Sequence, residues 1–268
     1  MSGTPLITFS GDPIATDAEI CVSQGEAVTR WSITTEVPVA LVYNQRNYAV
    51  MLATPSDLVD FAAGFSVTER VVDGIDDILE IEVAQSTRGV ELRMKLVPDC
   101  VERLDVRQTR RNMIGRAGCG VCGLDNAETL FEPLAPVRDA AISISDDALA
   151  KAVRDLANHQ PLNRRTRSVH AAAWADLDGA ILMTREDVGR HNALDKLMGA
   201  ILLEGKQRSD GFVMMSSRCS YELVEKAARL RVPAIACLSG PTTFAVRRAE
   251  ECNMALYSRQ GDGFVRIV

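Results

Sequence analysis

Residues 212–251 read FVMMSSRCSYELVEKAARLRVPAIACLSGPTTFAVRRAEE, and their rhythm decides the fold of the second half of the chain. Two short apolar runs, 212–216 and 234–238, each pass through a small polar loop into a helix-like stretch, near Tyr221–Leu230 and near Phe244–Glu251. The same order occurs upstream, where a strand at 180–184 leads through REDVGRH into a helix from about Asn192. Strand, loop and helix in repeated succession imply crossover connections and a mostly parallel, helix-covered sheet. Short strands near 254–258 and 264–267 finish the chain. Working backwards, Ala171–Asp176 and Ala180–Thr184 form a hairpin about Asp178-Gly179. Before it, Ser145 caps a helix with Leu149, Ala152, Val153 and Leu156 on one face.

The first half has a different pattern. Val37–Tyr43 and Tyr48–Ala53 read as a hairpin interrupted by polar Asn44–Asn47. Thr54 is placed to cap a helix, with Pro55 at its first position and Leu58, Phe61, Ala62 and Phe65 on one face. Leu79, Ile81 and Val83 alternate with polar residues, as do Val90, Leu92, Met94 and Leu96, around a turn at Thr87-Arg88-Gly89. This predicts a mixed, mostly antiparallel α+β unit, with the residues up to about Gln24 an unpatterned lead-in. From Pro98 to Pro136, Arg103, Arg107, Arg110, Arg111 and Arg116 concentrate charge around and ahead of Gly115, Gly118, Gly120 and Gly123. Little apolar material pins that segment, which predicts a mobile connecting loop. The expected division is an α+β domain at 1–111, a cysteine-containing loop at 112–136 and an α/β domain at 137–268. The fold class is α/β in the second half and α+β overall.

Of the 268 residues, 47% are hydrophobic and 25% charged, an ordinary globular balance that supports a sizeable core. A net charge of −6 disfavours general nucleic-acid or anionic-membrane binding. The opening MSGTPLITFSGDP has no basic start and no apolar segment, unlike a signal peptide, and a cytoplasmic protein without a membrane span is expected. Seven cysteines form no disulfide framework. Cys21, Cys100, Cys219, Cys237 and Cys252 are scattered singly, and most of them fit small buried hydrophobes.

In open α/β sheets, ligands bind beyond the carboxyl ends of the strands. Three loops predicted there, Arg185–His191, Ser216–Ser220 and Ser239–Thr243, offer backbone N–H groups with hydroxyls or an arginine, as phosphate sites require. Helix capping alone would also explain their Ser and Thr residues. REDVGRHNALDK is the densest polar cluster, with Arg185, Glu186, Asp187, Arg190, His191, Asn192, Asp195 and Lys196 around Gly189. A solvated charge run is the plain alternative for Asp195 and Lys196. His191 at a helix start either holds structure or donates to phosphate.

Cys119 and Cys122 form a C-x-x-C within RAGCGVCG. Structural zinc needs four ligands, and one chain offers no second pair, although two chains could share a metal. A thioredoxin-like pair wants a firm helix start, which these glycines do not give. The third reading is a thiolate that carries something: nearby arginines favour the ionised form, and a cysteine that accepts sulfur becomes a persulfide. A neighbouring thiol could assist release by exchange.

EVPVALVYN, ATPSDLVDFAAGFSVTER, RAGCGVCG, REDVGRHNALDK, the 216–253 stretch from SSRCS to EECN and the closing YSRQGDGF together resemble the FdhD/NarQ family, from about Glu36 to the C-terminus. The resemblance implies a sulfurtransferase needed for formate dehydrogenase activity. It would accept sulfur from a cysteine desulfurase as a persulfide on Cys119, with Cys122 as the auxiliary thiol. The sulfur would pass to the molybdenum (or tungsten) bis(molybdopterin guanine dinucleotide) cofactor, held as cargo, and a guanine nucleotide could occupy the same site. The resemblance also implies a homodimer and a three-layer cytidine deaminase-like C-terminal domain without that fold's zinc signature. No H-x-E with P-C-x-x-C occurs here. A cofactor-binding segment near the end corresponds to Ser258, Arg259, Gln260, Gly261, Asp262 and Gly263. Pyrophosphates would suit Arg190, Ser217, Arg218 and Thr242 beside helix N-termini, Asp187, Gly189, His191, Asn192 and Ser239 on the same loops are further candidate cofactor-binding residues, and a base would suit Phe244 or Tyr257. The rival within this reading is a non-catalytic chaperone that holds the cofactor.

Overall fold

A computed structural model describes residues 4–24, 27–101, 133–138, 142–205 and 210–268. The stretch up to Gln24, expected to be unpatterned, carries two strands, β1 (Leu6–Ser10) and β2 (Asp17–Gln24), and β3 (Ala27–Thr34) follows directly. Among the described residues β2 and β3 pair only with each other, as an antiparallel ribbon. Asp17 ties the ribbon to the body, since Arg165 donates through Nε and Nη2 to its two carboxylate oxygens at 3.1 and 2.9 Å. The bonds from Arg165, then Ser32, hold the Asp17 carboxyl at about 2, against an ordinary 3.8. Its stabilisation is therefore present above about pH 4 and lost as the pH falls through about 2. Acidification over that window is expected to loosen the ribbon, read from Trp31 emission in a Trp174→Phe background. A Trp31 signal that moves only with global unfolding would contradict this.

β4 (Val37–Tyr43) and β5 (Arg46–Ala53) turn at Asn44-Gln45, whose φ angles of 46° and 67° are those a two-residue hairpin turn needs. α1 (Leu58–Thr68) follows, and β6 (Ile78–Ser86) and β7 (Gly89–Leu96) form the second hairpin. The sheet order is β1-β6-β7-β4-β5, with β1–β6 and β7–β4 parallel, so the pairing is more evenly mixed than expected. Two details depart from the pattern. A register shift between Ile78 and Glu80 turns Ile78 inward and leaves Leu79 47% exposed, as a bulge reverses facing. α1 starts three residues later than predicted: Asp57, at φ 51°, stands at its N-cap, and Thr54 is engaged elsewhere.

The second half contains α2 (Asp146–Leu156), α3 (Pro161–Thr166), β8 (His170–Ala175), β9 (Ile181–Asp187), α4 (Arg190–Leu203), β10 (Phe212–Met215), α5 (Tyr221–Arg229), β11 (Ala234–Cys237), α6 (Thr243–Glu251), β12 (Ala255–Gln260) and β13 (Gly263–Arg266). Ser145 caps α2 by accepting from Ala148 N, as expected. The sheet order is β13-β12-β11-β10-β8-β9, with β10, β11 and β12 parallel and antiparallel pairs flanking them. Side chains alternate between two cores. Ala172, Trp174, Val213, Met215, Ile235 and Leu256 pack against α4, α5 and α6. Ala171, Ala173, Met214, Ala236, Ala255 and Tyr257 face α2. The result is three layers, helix on sheet on helix.

α1 crosses α4 where Gly64 meets Gly199. A Cβ on Gly64 would stand 1.8 Å from the Asp195 carbonyl oxygen, and one on Gly199 1.8 Å from that of Asp60. The first sheet thus docks on the second through glycines at van der Waals limit.

Candidate functional site

The register aligns Met215 with Cys237 and Cys237 with Ser258, so β10 and β11 end level with Ser258 and β12 runs two residues further in the same direction. β9 runs antiparallel to β8, as does β10, so β9 also ends at this edge. The three polar loops and the β12–β13 turn therefore leave one side of the sheet. Two of the loops are joined, since Cys219 bridges to Pro241 and Thr242 N donates to Cys219 O at 3.0 Å. Thr242 then caps α6 by accepting from Ala245 N. Ser217 is buried, with its Oγ donating to Arg218 O at 3.0 Å, while the Arg218 side chain is exposed. Ser239 is exposed. Ser258 is buried, whereas Arg259 and Gln260 at the end of β12, the turn Gly261-Asp262 and Gly263 at the start of β13 are exposed, with Gly261 at φ 59°.

Arg190 begins α4, a helix of 14 residues, and its buried Nε has no hydrogen-bond partner among the described residues. An orphaned guanidinium nitrogen beside a helix N-terminus is what an anion would satisfy. His170 lies nearby, half-buried; burial, then the Arg190 charge, pushes its pKa down and favours neutral imidazole. His191 is held by Glu222 at 2.8 Å and lies 3.3 Å from Ser220 Oγ. Tyr221 and Phe244, both half-buried, have ring centroids 4.8 Å apart and planes tilted by 31°. Tyr221 went unnoticed in the sequence, although an aromatic residue directly after a polar strand-end loop is a usable signal. Tyr257 has another use, for it is buried and its hydroxyl accepts from Ile144 N at 2.9 Å.

Much of REDVGRHNALDK faces inward. Arg185 pairs with Asp60 of α1 at 2.6 Å. Buried Glu186 accepts from Leu162 N and Asn163 N at the start of α3, and burial pushes its carboxyl up. Fully buried Asp187 pairs with fully buried Lys196 at 2.6 Å. Asp187 also accepts from Thr54 N, Gly189 N and Asn192 Nδ2 at 3.0, 2.8 and 2.9 Å. Gly189 has an ordinary extended φ of −101°, but a Cβ there would stand 2.9 Å from Asn192 Nδ2. Asp195 pairs with Lys226 at 2.9 Å and accepts from Thr68 Oγ1 at 2.6 Å. Asp195 and Lys196 are thus buried, not solvated, Asp195 against Thr68 and Lys226 and Lys196 against Asp187 and the Thr54 carbonyl.

Cys119 and Cys122 lie outside the described residues. Of the other cysteines, Cys100, Cys219, Cys237 and Cys252 are buried and Cys21 is exposed. Burial pushes the Cys252 thiol up to about 11, which makes it a poor nucleophile at neutral pH. Among the described residues no group of three or more His, Cys, Asp or Glu is placed to hold a metal ion, and no helix is long and apolar enough to cross a membrane. A cavity of about 340 Å³, lined by Val67, Trp174, Met198, Ile201 and Leu230, opens elsewhere, where α4 and α5 end.

Fold and site together define an α+β protein in which a mixed sheet docks, through α1 and α4, on three α/β layers whose polar strand-end loops share one edge. The chain belongs to the FdhD/NarQ family, whose model matches residues 34–266. It is 45% identical to the sulfur carrier protein FdhD of Xanthomonas euvesicatoria pv. vesicatoria, across 84% of this chain and 79% of that protein. It is 42% identical to the sulfur carrier protein FdhD of Cupriavidus necator, across 94% of this chain and 88% of that one. A crystal structure described as a formate dehydrogenase accessory protein from Desulfotalea psychrophila shares the fold. Its TM-score is 0.71 at 21% identity, covering 95% of this chain and 97% of that one.

Proposed function

We propose that this protein is a sulfur carrier for formate dehydrogenase maturation, acting as a sulfurtransferase through a persulfide on Cys119. The observation that carries the cargo site is the unpartnered Arg190 Nε at the start of α4, on the edge where four polar segments converge. That edge would take the pyrophosphates of the bis(molybdopterin guanine dinucleotide) cargo, with Arg190, Arg218 and the α4, α5 and α6 N-termini facing the anion. Membership of a family with relatives named sulfur carriers supports the chemistry.

In that chemistry the Cys119 thiolate attacks the terminal sulfur of a desulfurase persulfide, and the desulfurase thiolate leaves. Attack by the Cys122 thiolate on the inner sulfur of Cys119 would release hydrosulfide to the cargo and leave a Cys119–Cys122 disulfide, which a cellular dithiol reduces. The test is complementation of cells that lack their own carrier. Wild type should restore formate dehydrogenase activity and Cys119→Ala should not, although it should still bind guanosine diphosphate. Full restoration by Cys119→Ala would instead support the non-catalytic chaperone.

A further inference from the structure

We infer that the end of β5, in the first sheet, and the residue just after it are the positioning element of the edge site: Leu52 and Thr54 hold the Asp187–Asn192 turn so that Arg190 is fixed for an anion. The inference rests on the reading of that edge as the cargo site. Thr54, fully buried, uses three groups on this one turn and its helix. Its N donates to Asp187 Oδ2 at 3.0 Å, its Oγ1 accepts from Val188 N at 3.2 Å, and its carbonyl accepts from Lys196 Nζ at 2.9 Å. Two residues earlier, Leu52 O accepts from Asn192 Nδ2 at 2.8 Å. The turn between β9 and α4 is thereby bound on both sides of Arg190 by groups from a different sheet.

The chemistry of the turn agrees with this role. The Asp187 carboxylate is occupied by four protein donors, and Asn192 Nδ2 bridges Asp187 and Leu52. Both side chains therefore act through Arg190 and not by touching the ligand. A guanidinium whose backbone is already fixed loses less conformational freedom on binding, which raises affinity without adding a contact. It follows that the C-terminal layers alone do not complete the site, because the first sheet supplies its brace.

A double-mutant cycle on the full-length protein tests this, with inorganic pyrophosphate and guanosine diphosphate as probes and thermal melting as a check on folding. Thr54→Val removes the Val188 acceptor at nearly constant shape, and it should weaken both probes by about tenfold. Thr54→Ser, which keeps the acceptor, should bind within about twofold of wild type. In an Arg190→Gln background, Thr54→Val should cause no further loss, because coupled groups are non-additive. Wild-type affinity in Thr54→Val, or losses that multiply in the double variant, would overturn the inference while leaving the site itself intact. Absence of binding by wild type would instead refute the site reading, and the inference with it. Should Thr54→Val fail to fold, the same cycle with Asn192→Ala carries the same expectations and the same refutation.

Discussion

Replacing Lys226 by methionine is expected to cost about 3–5 kcal/mol of folding stability, because it strands a buried carboxylate. Lys226 Nζ lies 2.9 Å from Asp195 Oδ2, 2.8 Å from Glu69 Oε1 and 3.1 Å from Thr68 Oγ1. Burial pushes the Asp195 carboxyl up, and the Lys226 charge and the Thr68 hydroxyl oppose it. Burial also works against the charge on Lys226, but Asp195 and Glu69 outweigh it and hold the ammonium above its usual value. Without the lysine, Asp195 keeps the cost of leaving water and retains only the Thr68 hydroxyl to offset it. Urea unfolding should register the loss, together with a fall in Tm on the order of ten degrees. Pairing Lys226→Met with Asp195→Leu should recover much of the stability, since an apolar pair of similar volume carries no stranded charge. A loss below about 1 kcal/mol in the single variant would mean that the network contributes little.

Gly64→Ala should also destabilise strongly, by about 3 kcal/mol, although helix propensity alone predicts a gain of about 1 kcal/mol. The sign is decided by geometry. The new Cβ would stand 1.8 Å from Asp195 O and 2.7 Å from Gly199 N. Both obstacles are backbone, so no side chain can rotate away, and α1 must lift off α4. That movement would strain the seam at which Arg185 meets Asp60 and Lys226 meets Glu69. Melting curves of Gly64→Ala and Gly199→Ala are expected to shift down together, because each glycine faces the other helix's backbone. A neutral or raised Tm in Gly64→Ala would contradict the close crossing.

The C-terminal layers were legible because each strand, loop and helix has its own apolar period, and the hairpins because their turns are local. The ribbon β2–β3 was not, since DAEICVSQ and AVTRWSIT cover no core and need no one-sided pattern. β1 was missed because its parallel partner β6 lies some seventy residues away. Thr54 before Pro55 reads locally as a helix cap, yet its groups are taken by Asp187, Val188 and Lys196, which no local rule anticipates. The convergence of the polar loops followed from the predicted topology. Which side chains face inward there did not, because a charged residue shows its burial only through partners such as Thr68, Glu69 and Lys226.

Peptide mass mapping decides whether Cys119 carries sulfur. The full-length protein is incubated with an active cysteine desulfurase and cysteine, then digested with and without reductant. The peptide containing Cys119 should gain one reductant-sensitive sulfur, and the gain should be absent in Cys119→Ala. No added sulfur on that peptide, with the desulfurase shown to turn over, would contradict it.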